Sequence, residues 1–112
     1  MKRIEAIIKP FKLDEVRQAL SEVGVVGLTV SQVLSGDRDE HRADRYRGVE
    51  YAVDLTPRMK LEVAVADAQA DQIISVIARA SKIGHQGCGM IFVSHLEDAV
   101  RIRTGEHGER VL

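Results

Sequence analysis

The sequence predicts one α+β domain made of two strand–helix–strand units joined by a long loop. Three observations predict it. Apolar residues alternate over residues 3–9, 27–36, 59–65 and 90–96, the period of strands. Between the members of each pair, the period changes to that of a helix. Between the two units lies a run of charged residues with no apolar period at all.

The first strand is "RIEAIIK": Ile4, Ala6 and Ile8 face one way, Glu5, Ile7 and Lys9 the other, and Pro10 ends it. Leu13, Val16, Leu20 and Val23 then recur at helical spacing, with Asp14 and Glu15 early, where the helix dipole favours acids. Gly24 stops that helix. "GLTVSQVLSG" reads as the second strand, with Leu28, Val30 and Leu34 in phase and Thr29, Ser31 and Val33 opposite. Residues 36–50 are the charged run, nine of fifteen being Asp, Glu or Arg. "MKLEVAV" gives the cleanest alternation, Met59, Leu61, Val63 and Val65 against Lys60, Glu62 and Ala64. Asp67 is placed to cap a second helix carrying Ala70, Ile73, Ile74, Ile77 and Ala80. The loop "GHQGCG" leads into a fourth strand, "MIFVSHL", and "VRIRTGE" follows as an extended tail segment. This order is the ferredoxin-like βαββαβ arrangement. Two helices would cover one sheet face and leave Ile7, Val33 and Ala64 among polar residues on the other, so burial against sister subunits is expected.

With 112 residues the chain is one domain, and its core is thin enough for oligomerisation to help. Sixteen basic and seventeen acidic residues nearly cancel, which argues against a nucleic-acid backbone as the main partner. With no tryptophan, no aromatic in the first strand and only Phe92 in the fourth, the sheet lacks the stacking platform of an RNA-binding relative. No apolar run approaches the roughly 20 residues of a membrane span, and "MKRIEAIIKP" lacks the apolar core of a signal peptide. A single cysteine suits a reducing cytoplasm.

Three constellations carry chemistry. The charged loop holds Asp37, Asp39, Glu40, Asp44 and Glu50 against Arg38, Arg42, Arg45 and Arg47. Unstructured connections above about 12–15 residues are uncommon in compact domains unless functional or disordered, so this loop is either a docking element or a solvated excursion. Arg101 and Arg103, two apart on an extended segment, would leave one face together, and two guanidinium forks side by side suit a polyphosphate. Against this, Glu97, Asp98 and Glu106 lie near enough in sequence to answer both arginines. Gly84, Gly87 and Gly89 would let backbone amides approach an anion, although the loop lacks the lysine and hydroxyl of a P-loop. The same glycines also suit a plain helix-to-strand turn. His85 and Cys88, with His41 and His95 elsewhere, offer soft ligands for a metal, but without paired ligand spacing. Nothing assembles an acid, a base and a nucleophile, so an enzyme is not expected.

"MKRIEAIIKPFKLDEVRQALSEVGVVGLTV", "YRGVEY", "GCGMIFV" and "VRIRTGE" together resemble the PII nitrogen-regulatory signal-transduction proteins over nearly the whole chain. The resemblance implies a cytoplasmic homotrimer that binds an adenine nucleotide (ATP, ADP or AMP) in clefts between neighbours. It also implies a T-loop, here about residues 37–55, that docks onto a membrane transporter or a regulated enzyme. A B-loop would span about residues 82–90 and a C-terminal segment about residues 97–112. By the same resemblance Thr29 and the backbone near Ala64 would meet the adenine. Gly87, Cys88, Gly89 and Met90 would cradle phosphates, and Arg38, Arg101 and Arg103 would supply positive charge.

The chain departs from the family pattern at ligand positions. The usual B-loop reads G-D-G-K, and here Cys88 replaces the acid and Met90 the lysine. Loss of that cation should weaken the most highly charged nucleotide most. Asp39 stands where the family has a glutamine that coordinates magnesium beside 2-oxoglutarate, and Arg58 stands for an oxoglutarate-contacting lysine. Asp39 could still ligate magnesium, but a carboxylate repels a dicarboxylate. Val49 replaces a small residue beside Tyr51, the modifiable tyrosine of the pattern. These changes suit a PII-like protein retuned to another effector, such as bicarbonate or a metal ion held through Cys88 and His85.

Overall fold

The computed structural model describes residues 1–36, 45–46, 49–50, 55–84 and 89–112. The order is β1 (Lys2–Ile8), α1 (Leu13–Glu22), β2 (Thr29–Ser35), β3 (Arg45–Tyr46), β4 (Val49–Glu50), β5 (Thr56–Val65), α2 (Asp67–Ser81) and β6 (Met90–His95). The main sheet is antiparallel, in the order β2-β5-β1-β6. This is the α+β, ferredoxin-like arrangement expected. Within the charged run, β3 and β4 pair with each other, Arg45 opposite Glu50 and Tyr46 opposite Val49.

The helices pack on one face of the sheet. Ile4, Ala6 and Ile8 of β1 and Leu61, Val63 and Val65 of β5 meet Val16 and Leu20 of α1 and Ala70, Ile73 and Ile77 of α2. Each such buried aliphatic contributes about 1.5–3 kcal/mol relative to exposure. Gly24 ends α1 as predicted, at φ +87°. Its N–H donates to the Ser21 carbonyl at 3.0 Å and that of Val25 to Leu20 at 2.9 Å, the paired bonds of a Schellman cap. Ser81, buried at the end of α2, donates its hydroxyl to the Ile77 carbonyl at 2.7 Å.

Four expectations are corrected. Asp67 does not cap α2: Ala66 stands at the cap, and Asp67 is the first helical residue, its carboxylate 3.0 Å from the Met1 amine. That amine also holds the Asp67 carboxyl below the ordinary carboxylate range. The third strand of the main sheet begins at Thr56 rather than Met59, taking in Pro57 and Arg58. Leu34 is in phase with Val30 but is 64% exposed, because it lies opposite Pro57, one row beyond buried Ile8 and half-buried Met59. The fourth correction concerns the tail and is given with the site below.

The face away from the helices carries Ile7, Val33 and Ala64, each half-buried, but its centre is ionic. Glu5 takes Arg3 at 2.7 Å and Lys60 at 3.5 Å, and Lys60 also reaches Glu62 at 3.6 Å. Two acids and two bases thus neutralise one another across β1 and β5.

Candidate functional site

The register fixes where the expected ligand groups stand. Thr29 on β2 is opposite Glu62, so Ala64 is its diagonal neighbour on the open face. Such diagonal pairs lie about 7–8 Å apart. Met90 opens β6 opposite Ile7 and is 52% exposed. It projects to the same face, but β2 and β6 are opposite edges of the sheet. Three strand spacings, roughly 14 Å, separate them. One chain therefore does not bring Thr29 and Ala64 together with Met90. A small ligand within one chain would meet one set or the other.

Gly89 precedes Met90 at φ +109°. A Cβ there would collide with the Ile7 carbonyl oxygen and stand 3.1 Å from the carbonyl carbon. The glycine is therefore required by the close passage of the chain over β1, whatever ligand the loop holds. Gly84, at φ +81°, has open space around it, as a turn glycine would. Asp37, Arg38, Asp39, His41, Tyr51, His85, Gly87 and Cys88 lie outside the described residues.

Arg58 is 3% exposed and donates from Nη1 to the Pro57 carbonyl at 3.0 Å. It lines a recess of about 570 Å³ with Pro10, Gln32, Val33, Leu34, Pro57 and Met59.

The tail departs most from expectation. "VRIRTGE" is a tight hairpin, not an extended segment. Val100 bridges His107, the Arg101 N–H donates to the Glu106 carbonyl at 2.9 Å, and the Gly105 N–H donates to the Arg101 carbonyl at 2.8 Å. Gly105, at φ +74°, lets the chain reverse. Thr104 Oγ1 donates to Glu106 Oε1 at 3.0 Å and accepts the Glu106 N–H at 3.3 Å. These local bonds override the alternation of Arg101, Ile102 and Arg103 that suggested a strand. Two residues apart in a turn, the arginines do not share a strand face. Arg101 Nη1 is held by Glu106 Oε1 at 2.9 Å, while Ile102 at the tip is fully exposed. Of the three acids near the arginines in sequence, Glu106 pairs with Arg101. Asp98 instead takes His107, Oδ2 to Nδ1, at 2.7 Å. His107 carried no signal in the sequence, because its pairing depends on the hairpin register.

Among the described residues no group of three or more His, Cys, Asp or Glu could hold a metal ion, and no helix is long and apolar enough to cross a membrane.

The fold defines a class: a βαββαβ domain with two helices on one sheet face and an arginine-bearing C-terminal hairpin. Residues 1–106 match the family described as Nitrogen regulatory protein P-II. The chain is 52% identical to the nitrogen regulatory protein P-II of Bradyrhizobium diazoefficiens over 108 residues, 96% of each chain. It is 50% identical to that of Haemophilus influenzae over 97% of each. Over all 112 residues it is 47% identical to the nitrogen regulatory protein GlnK of Escherichia coli K12. The chain belongs to the PII nitrogen regulatory protein family.

Proposed function

We propose that this chain is a homotrimeric signal-transduction regulator that binds an adenine nucleotide between neighbouring copies. It passes the bound state to a membrane transporter or an enzyme through residues 37–55. The observation that carries the reading is the split site. Thr29 on edge strand β2 and Ala64 on the neighbouring β5 stand apart from Gly89 and Met90 at the opposite edge, an arrangement that suits a ligand held between copies. The Arg101–Arg103 hairpin supplies the cations a phosphate group would need. The ionic centre of the open face also suits contact between copies, since its charges are already neutralised.

Calorimetry with ATP, ADP and AMP tests the nucleotide part. Binding of at least one, with ADP or AMP gaining on ATP for want of the lysine replaced by Met90, is the expected result. No binding of any of the three overturns it. Mass measurement in solution tests the trimer, and a stable monomer overturns it.

The effector is the second element. Arg58 keeps a cation at the open recess, while Asp39 places a carboxylate where the family has a glutamine. The substitutions at these two positions favour an effector other than 2-oxoglutarate, such as bicarbonate or a metal ion held through Cys88 and His85. A magnesium- and ATP-dependent response to 2-oxoglutarate at micromolar concentration would overturn this.

A further inference from the structure

The C-terminal hairpin holds an anion of its own on one of its two arginines. Glu106 Oε1 accepts from Arg101 Nη1 at 2.9 Å and from the Thr104 hydroxyl at 3.0 Å. The other carboxylate oxygen, Oε2, lies 3.9 Å from Arg110 Nε. The main chain of Glu106 is fixed as well. Its N–H donates to Thr104 Oγ1 at 3.3 Å, and its carbonyl accepts the Arg101 N–H at 2.9 Å. The turn therefore seats the carboxylate from two sides. It meets Arg101 through an anionic oxygen on a guanidinium N–H, the same kind of bond a phosphate would make.

We propose that Glu106 is a specificity-determining residue of the phosphate site. Its carboxylate is a resident competitor on Arg101, and it weakens a nucleotide more, the more negative charge that nucleotide carries. This rests on the reading of Arg101 and Arg103 as phosphate ligands.

The direction follows from geometry and charge. A guanidinium has five donors, and Glu106 takes one of them, on Nη1. Arg101 keeps donors for a second anion, so the carboxylate does not shut a phosphate out. It stands beside it instead, and like charges at so short a range repel. That repulsion grows with the charge of the incoming group, so a triphosphate loses more than a monophosphate. Asp98, another acid of the hairpin, is engaged by His107 at 2.7 Å, which leaves Glu106 as the carboxylate bound to Arg101. Both members of that pair are exposed, Arg101 at 43% and Glu106 at 38%, so solvent screens them and the effect is moderate.

The opposite role is that Glu106 holds Arg101 in place for the ligand. That role needs an acceptor oxygen rather than a charge. Glutamine keeps the oxygen and drops the charge. Glu106→Gln therefore separates the two.

The test is calorimetry of the full chain with ATP and with AMP, without magnesium, at low and at high salt. In Glu106→Gln, ATP should bind about three- to tenfold more tightly than in the parent, and AMP should gain less than about threefold. The gain for ATP should shrink toward none in about 1 M salt, where the Debye length is about 3 Å. An equal gain for both nucleotides, a gain that salt leaves intact, or unchanged affinity overturns the proposal. A loss of affinity also overturns it and makes Glu106 a positioning residue. Glu109→Gln is the control, an acid that begins the final turn, Glu109–Val111. It should leave the ratio of ATP to AMP affinity at the parental value. An equal change there traces the effect to the net charge of the tail and overturns the contact with Arg101 as its cause. If the parent binds neither nucleotide, the phosphate reading fails, and pyrophosphate decides the competition by itself. Titrated while the Arg101 amide is followed by NMR, it should move that signal at lower concentration in Glu106→Gln than in the parent. Equal titrations overturn the proposal.

Discussion

Replacing Gly89 by alanine separates two reasons for a glycine at the head of β6. One is ligand approach, and the other is the passage of the chain over β1. The structure favours the second strongly. The new Cβ would collide with the Ile7 carbonyl oxygen, and Ile7 belongs to β1, a central strand paired with β5 and β6. The oxygen cannot swing aside as a side-chain tip could. Two costs therefore add. A non-glycine residue at φ +109° is strained by about 1–3 kcal/mol. Displacing packed backbone costs about as much again, by analogy with overpacking. Gly89→Ala should lose about 2–6 kcal/mol of stability, a large part of the about 5–15 kcal/mol typical of a domain. Urea unfolding at matched protein concentration measures it, with Gly84→Ala as control. Gly84 has φ +81° but nothing within 4 Å, so its substitution should carry only the backbone cost, about 1–2 kcal/mol. If Gly89→Ala is no worse than Gly84→Ala, the collision argument is wrong. If it keeps its stability but loses ADP, the glycine serves the ligand instead.

Leu61→Ala should cost about 2–5 kcal/mol in the same unfolding assay, because Leu61 is fully buried between the sheet and helices. Arg103→Ala should weaken ADP binding by about 1.5–3 kcal/mol in calorimetry, the range for a hydrogen bond to a charged group; unchanged affinity would make the arginine ordinary surface charge. Met90→Lys should raise ATP affinity more than AMP affinity, because the added cation would meet the terminal phosphates, and an equal rise would place the side chain away from them. Asp67, whose carboxyl is held low by the Met1 amine, contributes stability above its ordinary 3.8 and loses it as pH falls through the lowered value. The thermal midpoint of Asp67→Asn should therefore lie below that of the parent at neutral pH and converge with it in acid.

The sheet and both helices could be read from the chain because their periods are set by burial. Met59, Leu61, Val63 and Val65 face the helix layer, and their alternation is the record of that contact. The start of β5 left no such record. Thr56, Pro57 and Arg58 pair with Ser35, Leu34 and Val33 beyond the core, where no helix demands an apolar side chain, and a proline there argues against a strand. The open face was legible in its apolar members but not in its balance. The ion pairs of Arg3, Glu5, Lys60 and Glu62 exist only once register sets β1 beside β5.

The C-terminal hairpin shows the opposite failure, a pattern that was present and misleading. Valine and isoleucine alternate with Arg101 and Arg103 as in a strand, yet Ile102 faces water at the tip of a turn. The residues that decide the matter are the ones alternation ignores. Thr104 and Glu106 satisfy one another and the backbone between them, and Gly105 supplies the positive φ. The consequence for function is direct. On a strand, both guanidinium groups would leave one face and could grip one phosphate chain unaided. In the hairpin, Arg101 is already engaged by Glu106, so under the proposed function a phosphate would share that arginine with a carboxylate or displace it. Such a site is graded rather than maximal. Under the proposed function, phosphate affinity there would depend on how well Glu106 competes for Arg101.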